Sequence, residues 1–139
     1  VNGAGQEHAE ATVRQPVRLR HVGGAIGLDA ALTLVFVIIG RDTHTEALDA
    51  WGVLETWWPF LIGVAVGWML TRAWRKPHGL LWQGVGIWVS TVVVGMLIRW
   101  VAGQGTALPF VIVATVVLAV FLLGWRLIAV LVIRRRAKA

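Results

Sequence analysis

The sequence predicts an all-α integral membrane protein with four transmembrane helices, and three observations carry that prediction. Nearly all of the chain between Val22 and Ile133 is apolar. The apolar stretch falls into four blocks, each close to the roughly 20 helical residues that cross a hydrocarbon core of about 30 Å. The composition agrees, with 58% hydrophobic and 14% charged residues and a mean hydropathy of +0.74. A soluble domain would need polar faces on its helices, and these blocks lack them. The runs are long and do not alternate, which favours helices over barrel strands.

Residues 1–21 form a polar segment, followed by a transmembrane domain over 22–133 and a basic tail over 134–139. The expected spans are 22–40, 57–74, 79–101 and 107–127. Asp29 interrupts the first, Gln83 and Arg99 lie in the third, and the fourth continues apolar to Ile133. The connections leave no room for a second domain. Val1 reads as a GTG start codon translated literally, so the polar N-terminus is expected to be complete. The first span is long for a signal sequence and is followed by an acidic loop, so it is expected to stay uncleaved. The chain has no cysteine, which excludes disulfides, thiolate metal sites and cysteine nucleophiles.

Charge alternates between the loops. Arg14, Arg18 and Arg20 precede span one; Arg72, Arg75 and Lys76 join spans two and three; Arg126, Arg134, Arg135, Arg136 and Lys138 close span four. Eleven of thirteen basic residues thus fall on one side, and Arg41 and Arg99 on the other with Asp42, Glu46, Asp49 and Glu55. The positive-inside rule then places both termini in the cytoplasm. The net charge of +6 is accounted for by flanking anchors and anionic lipid headgroups at the cytoplasmic face, not by nucleic acid. Tryptophan agrees: Trp51, Trp57, Trp58 and Trp100 fall at the outer boundary and Trp74, Trp82 and Trp125 at the inner one, where indole favours the headgroup level. Trp68 and Trp88 lie near mid-span, either packed or forming the aromatic wall of a pocket.

The two halves echo each other. Trp58-Pro59-Phe60-Leu61-Ile62 opens span two, and Leu108-Pro109-Phe110-Val111-Ile112 opens span four. Trp74-Arg75 and Trp125-Arg126 close them, while Arg41 and Arg99 end spans one and three. The fold is therefore expected to be two similar helical hairpins in a parallel repeat, with each proline in the first turn of its helix. Small residues recur four apart: Gly23, Gly27 and Ala31; Gly63, Gly67 and Thr71; Gly86 and Ser90; Thr91 and Gly95. Such stripes let helix backbones approach closely. They are expected to pack the bundle, with a homodimer seam as the alternative.

Few polar residues need a reason. Asp29 lies about 10 Å into span one, where a carboxylate costs about 3 kcal/mol unless paired or protonated. Arg72 has a similar apparent depth and is the expected partner, with Thr71 and Gln83 nearby. The alternative is a proton or cation site at Asp29. At the outer mouth, Arg41 and Arg99 are expected to meet, joined by His44, Gln104 and Thr106. Internal acids are the expected neutralisers there, with an anionic lipid headgroup or solute as the alternative. His8, His21, His44 and His78 do not lie on facing helices inside the spans, so no haem, metal or other cofactor is expected. Nothing is placed for catalysis, and an enzyme is not expected. The Gly103-Gln104-Gly105-Thr106 run lacks a phosphate-loop ending and reads as a tight turn.

The strings Ile39-Gly40-Arg41-Asp42-Thr43-His44, Trp58-Pro59-Phe60-Leu61-Ile62-Gly63, Arg72-Ala73-Trp74-Arg75, Gly95-Met96-Leu97-Ile98-Arg99, Gly103-Gln104-Gly105-Thr106-Ala107 and Gly124-Trp125-Arg126 occur in that order. In this the chain resembles an uncharacterised family of small four-span proteins found mainly in actinobacteria, domain of unknown function 3054. The resemblance runs from about Asp29 to Arg126. It implies an actinobacterial plasma membrane and brings no activity or residue roles. Two function classes follow from the residues. The first, favoured, is a structural or accessory membrane subunit. The second is a small homo-oligomeric transporter or channel that uses Asp29, or Arg41 and Arg99.

Overall fold

The computed structural model describes the backbone of residues 3–43 and 48–139 and the side chains of residues 19–42 and 48–139. The expectations placed on His8, Arg14, Arg18, His44 and Glu46 lie outside the described side chains. Helix α1 runs Gly3–Thr43, α2 Ala50–Thr71, α3 Val85–Val101 and α4 Leu108–Lys138. There is no strand among the described residues. The segments long and apolar enough to cross a membrane are Leu19–Asp42, Ala50–Thr71, Leu80–Val101 and Leu108–Lys138. Large apolar side chains cover the outside of the bundle, among them Met69, Leu81, Val93, Val116 and Val120. That surface suits lipid.

Consecutive helices are antiparallel. Each packs against its chain neighbours, α1 and α4 close the ring, and the α2–α3 interface is the most extensive. His21 and His78 meet at one end, here called proximal. Arg41 and Thr56 meet at the other, distal end. Phe36, Phe60, Val64, Trp68, Ile87, Leu118 and Leu122 fill the space between.

Local chemistry sets the helix ends, and it moves α2 from where the hydropathy put it. The Asp49 carboxylate accepts from the Gly52 N–H at 3.1 Å and caps α2 two turns before the expected start. Pro59 therefore lies inside the helix, not in its first turn; Pro109 does occupy the first turn of α4. At the other end Arg72 adopts a left-handed conformation, φ 50° and ψ 47°, and stops the helix. A 3-10 turn, Ala73–Arg75, leads to a π-helical turn, Leu80–Gly84, closed by the Gly84 N–H donating to the Gly79 carbonyl at 2.9 Å. Beyond α3, Gly103 and Gly105 have φ of 70° and 27°, so the run read as a turn is one.

Glycine makes the α2–α3 seam. A β-carbon on Gly63 would lie 2.7 Å from Thr91 Cα, and one on Gly67 would lie 2.7 Å from Ile87 Cα. The Ser90 hydroxyl donates across the seam to the Gly63 carbonyl at 2.9 Å. Gly86 abuts Thr71, and Gly95 abuts Phe60. Gly23 and Gly27 differ from expectation. Among the described residues, a β-carbon at either would meet nothing within 4 Å, because their face of α1 is turned away from the other helices. Trp88 is a packing residue, its Nε1 donating to the Thr115 carbonyl of α4 at 2.9 Å.

Candidate functional site

Asp29 is fully buried, and its partner is Arg126, not Arg72. The guanidinium grips the carboxylate with both terminal nitrogens: Nη1 donates to Oδ1 at 2.7 Å and Nη2 to Oδ2 at 2.7 Å. Two indoles complete the set. Trp68 Nε1 donates to Oδ2 at 2.8 Å, and Trp125 Nε1 donates to Oδ1 at 2.8 Å. Each oxygen thus accepts two hydrogen bonds, and a carboxylate has about four acceptor positions. No position is left for a further donor or a cation.

The cation is placed as firmly. Arg126 Nη1 also donates to the Leu122 carbonyl one turn earlier at 3.0 Å, and its guanidinium carbon lies 4.4 Å from the centre of the Trp125 ring. Nε is buried without a hydrogen-bond partner among the described residues. Gly84 supplies the room: a β-carbon there would lie 3.0 Å from Arg126 Cδ, and the π-helical turn brings that glycine to the arginine. Three helices therefore meet at one bidentate pair, the geometry in which a buried salt bridge best offsets its desolvation.

Arg72 falls short because α2 ends at Thr71. As the exposed C-cap residue it stands beyond the core rather than inside the span. The Thr71 hydroxyl donates to the Gly67 carbonyl of its own helix at 2.7 Å, and Gln83 stands over Gly79. Neither belongs to the hydrogen-bond set of Asp29. Arg126 was grouped with the loop cations, but it is fully buried. The signal was present: seven apolar residues, Leu127–Ile133, separate it from the next charge, so it lies within the hydrophobic run. Removing it leaves ten flanking cations against two, and the bias keeps its sign.

A short aromatic row extends from the pair to the proximal end. His78 is edge-on to Trp125, with centres 5.8 Å apart, and to His21 at 6.2 Å. Burial, then electrostatic repulsion from His21 and Arg126, holds the His78 pKa below the ordinary histidine value. The unfolded chain therefore binds the proton more readily. This contribution to stability is present above about pH 6.5 and is lost as pH falls through the lowered value. The thermal midpoint of the detergent-solubilised protein is expected to drop from pH 7.5 to pH 5. The drop should be smaller in His78→Gln; an equal drop would remove His78 as a cause.

The distal end gathers the other two arginines, and they do line one cavity, of about 100 Å³, with Thr56 and Phe110. Arg41 Nη1 donates to the Thr56 hydroxyl at 2.9 Å, and Nη2 lies 4.0 Å from the half-exposed Asp49 carboxylate. Arg99 donates to the Gln104 side chain at 3.1 Å and to the Gly105 carbonyl at 3.2 Å, and it stacks 4.6 Å from the centre of Phe110. Gln104 Nε2 in turn donates to the Glu55 carbonyl at 3.1 Å. The turn after α3 is thereby fastened to α2. Thr106 is half-buried in the same loop. Among the described residues, no group of three or more histidine or acidic side chains is placed to hold a metal ion.

The bundle and its buried charge pair define a membrane protein of four apolar helices. A protein-family model described as "Protein of unknown function (DUF3054)" matches residues 26–129, and the chain belongs to that family. The match begins three residues before Asp29 and ends three after Arg126, so it encloses both sites. No curated protein and no solved structure matches the chain.

Proposed function

We propose that the protein is a structural or accessory subunit of a plasma-membrane assembly, with both termini in the cytoplasm. The observation that carries this reading is the saturation of Asp29. A proton or cation carrier needs a carboxylate that can accept its cargo, and this one already accepts four hydrogen bonds. Leu118, Leu122 and Ile87 are fully buried in the bundle interior, which further disfavours a path through a single copy. What the chain offers is its lipid-facing helix surface, where membrane subunits associate through packing rather than apolar burial.

Affinity purification in mild detergent, with a tag after Ala139, tests this. The expected result is co-purification of a membrane protein in fixed stoichiometry, and a tag that is protected from protease in intact spheroplasts. A lone homo-oligomer that conducts ions in liposomes would overturn the reading, and an externally cleaved tag would overturn the orientation.

A further inference from the structure

The arginine-lined cavity adjoins an apolar groove. The groove lies between the end of α1 and the start of α4, measures about 380 Å³, and shares Phe36, Gly40 and Phe110 with the cavity. Ile39, Ala107, Pro109, Val113 and Val117 form its remaining walls. Gly40 leaves room there: among the described residues, a β-carbon would meet nothing within 4 Å. The two spaces are ordered by depth. Arg41 is one residue from the end of its span, at the membrane surface. Val117 lies nine residues into α4, about 13 Å along the axis. A charged compartment at the surface thus borders an apolar one that reaches towards the bilayer middle.

We infer that this paired compartment binds one anionic phospholipid of the distal leaflet. Its phosphate would sit beside Arg41, Arg99 and Thr56, and an acyl chain would lie in the α1–α4 groove. Charge complementarity selects the occupant: guanidinium groups bind phosphate oxygens well. Both arginines line the cavity and keep their protein partners, Asp49 beside Arg41 among them, so a phosphate would join those contacts rather than replace them. An acyl chain gains little by leaving other lipid tails. The headgroup therefore supplies the discrimination and the groove supplies the placement. The site is separate from the basic proximal tail, and it does not depend on the accessory-subunit reading.

The test is delipidated protein in a neutral detergent, titrated separately with phosphatidylglycerol, phosphatidylcholine and inorganic phosphate, with the thermal midpoint as readout. Phosphatidylglycerol is expected to raise the midpoint saturably, and the other two to have little effect. Arg99→Gln should weaken the apparent affinity by about fivefold, the equivalent of one surface cation. Gly40→Leu adds bulk at a residue that lines both spaces, with its β-carbon clear of the described atoms, and should weaken it as well, which keeps the test decisive if Arg99→Gln folds poorly. A variant with Arg134, Arg135 and Arg136 changed to Gln should keep the full response. An equal response to inorganic phosphate would mean an ion site without a lipid. Unchanged binding in Gly40→Leu, or loss of the response in the tail variant, would also overturn the inference.

Discussion

Asp29→Ala is expected to destabilise the protein by about 3–5 kcal/mol, because it leaves the Arg126 guanidinium buried without a counter-charge. Arg126→Met should cost a similar amount, since the carboxylate would keep only the Trp68 and Trp125 N–H groups. The double variant Asp29→Ala/Arg126→Met should recover most of the loss. Both charges would then be gone, and with them the desolvation that the pair has to offset. Denaturant unfolding in micelles of the wild type, the two single variants and the double variant measures the coupling directly. A double variant as unstable as the sum of the singles would mean that the pair contributes no mutual stabilisation. Asp29→Asn separates structure from transport. As a lock, Asp29 needs its charge, so the amide should lose stability. As a proton carrier it would lose pH-dependent flux and keep its stability.

The same residues show how much could be read from the sequence. The number of spans was legible because a bilayer demands long apolar helices whatever the packing. The meeting of Arg41 and Arg99 at one mouth was legible too, because both end helices that point the same way. The partner of Asp29 was not. Depth counted along a helix that starts at Trp57 points to Arg72, whereas the Asp49 cap starts the helix at Ala50. Two added turns of helix carry Arg72 past the end of the span. Trp125 and Arg126 looked like a boundary pair because Trp74 and Arg75 resemble them, yet only the second pair is continued by seven apolar residues. At the distal end Phe60 and Phe110 both approach Arg99, although Pro59 lies inside α2 while Pro109 opens α4. The echo between the halves fails at the proximal end, where Trp74 and Arg75 are exposed and Arg126 is buried. Hydropathy does not record which face of a helix a residue occupies, so Gly27 and Gly63 looked alike.

Those two glycines should respond to the same substitution with opposite sign. Gly→Ala in a helix gains up to about 1 kcal/mol of propensity where the new methyl meets nothing. Gly27 meets that condition, so Gly27→Ala should be neutral or stabilising in detergent. At Gly63 the methyl would lie 2.7 Å from Thr91 Cα and 2.9 Å from the Thr91 carbonyl oxygen. Both are backbone atoms of a packed helix and cannot rotate aside. The α2–α3 seam must open, weakening the Ser90 bond to the Gly63 carbonyl and loosening the contact of Gly67 with Ile87. Overpacking of this kind costs about 1–3 kcal/mol, which outweighs the propensity gain; the branched Gly63→Val should cost more. Thermal midpoints of Gly27→Ala, Gly63→Ala and Gly63→Val therefore order the faces of the bundle. A tolerated Gly63→Val would contradict the close seam. A strongly destabilising Gly27→Ala, accompanied by a change in particle mass, would show instead that the open face of α1 packs against a second copy of the chain.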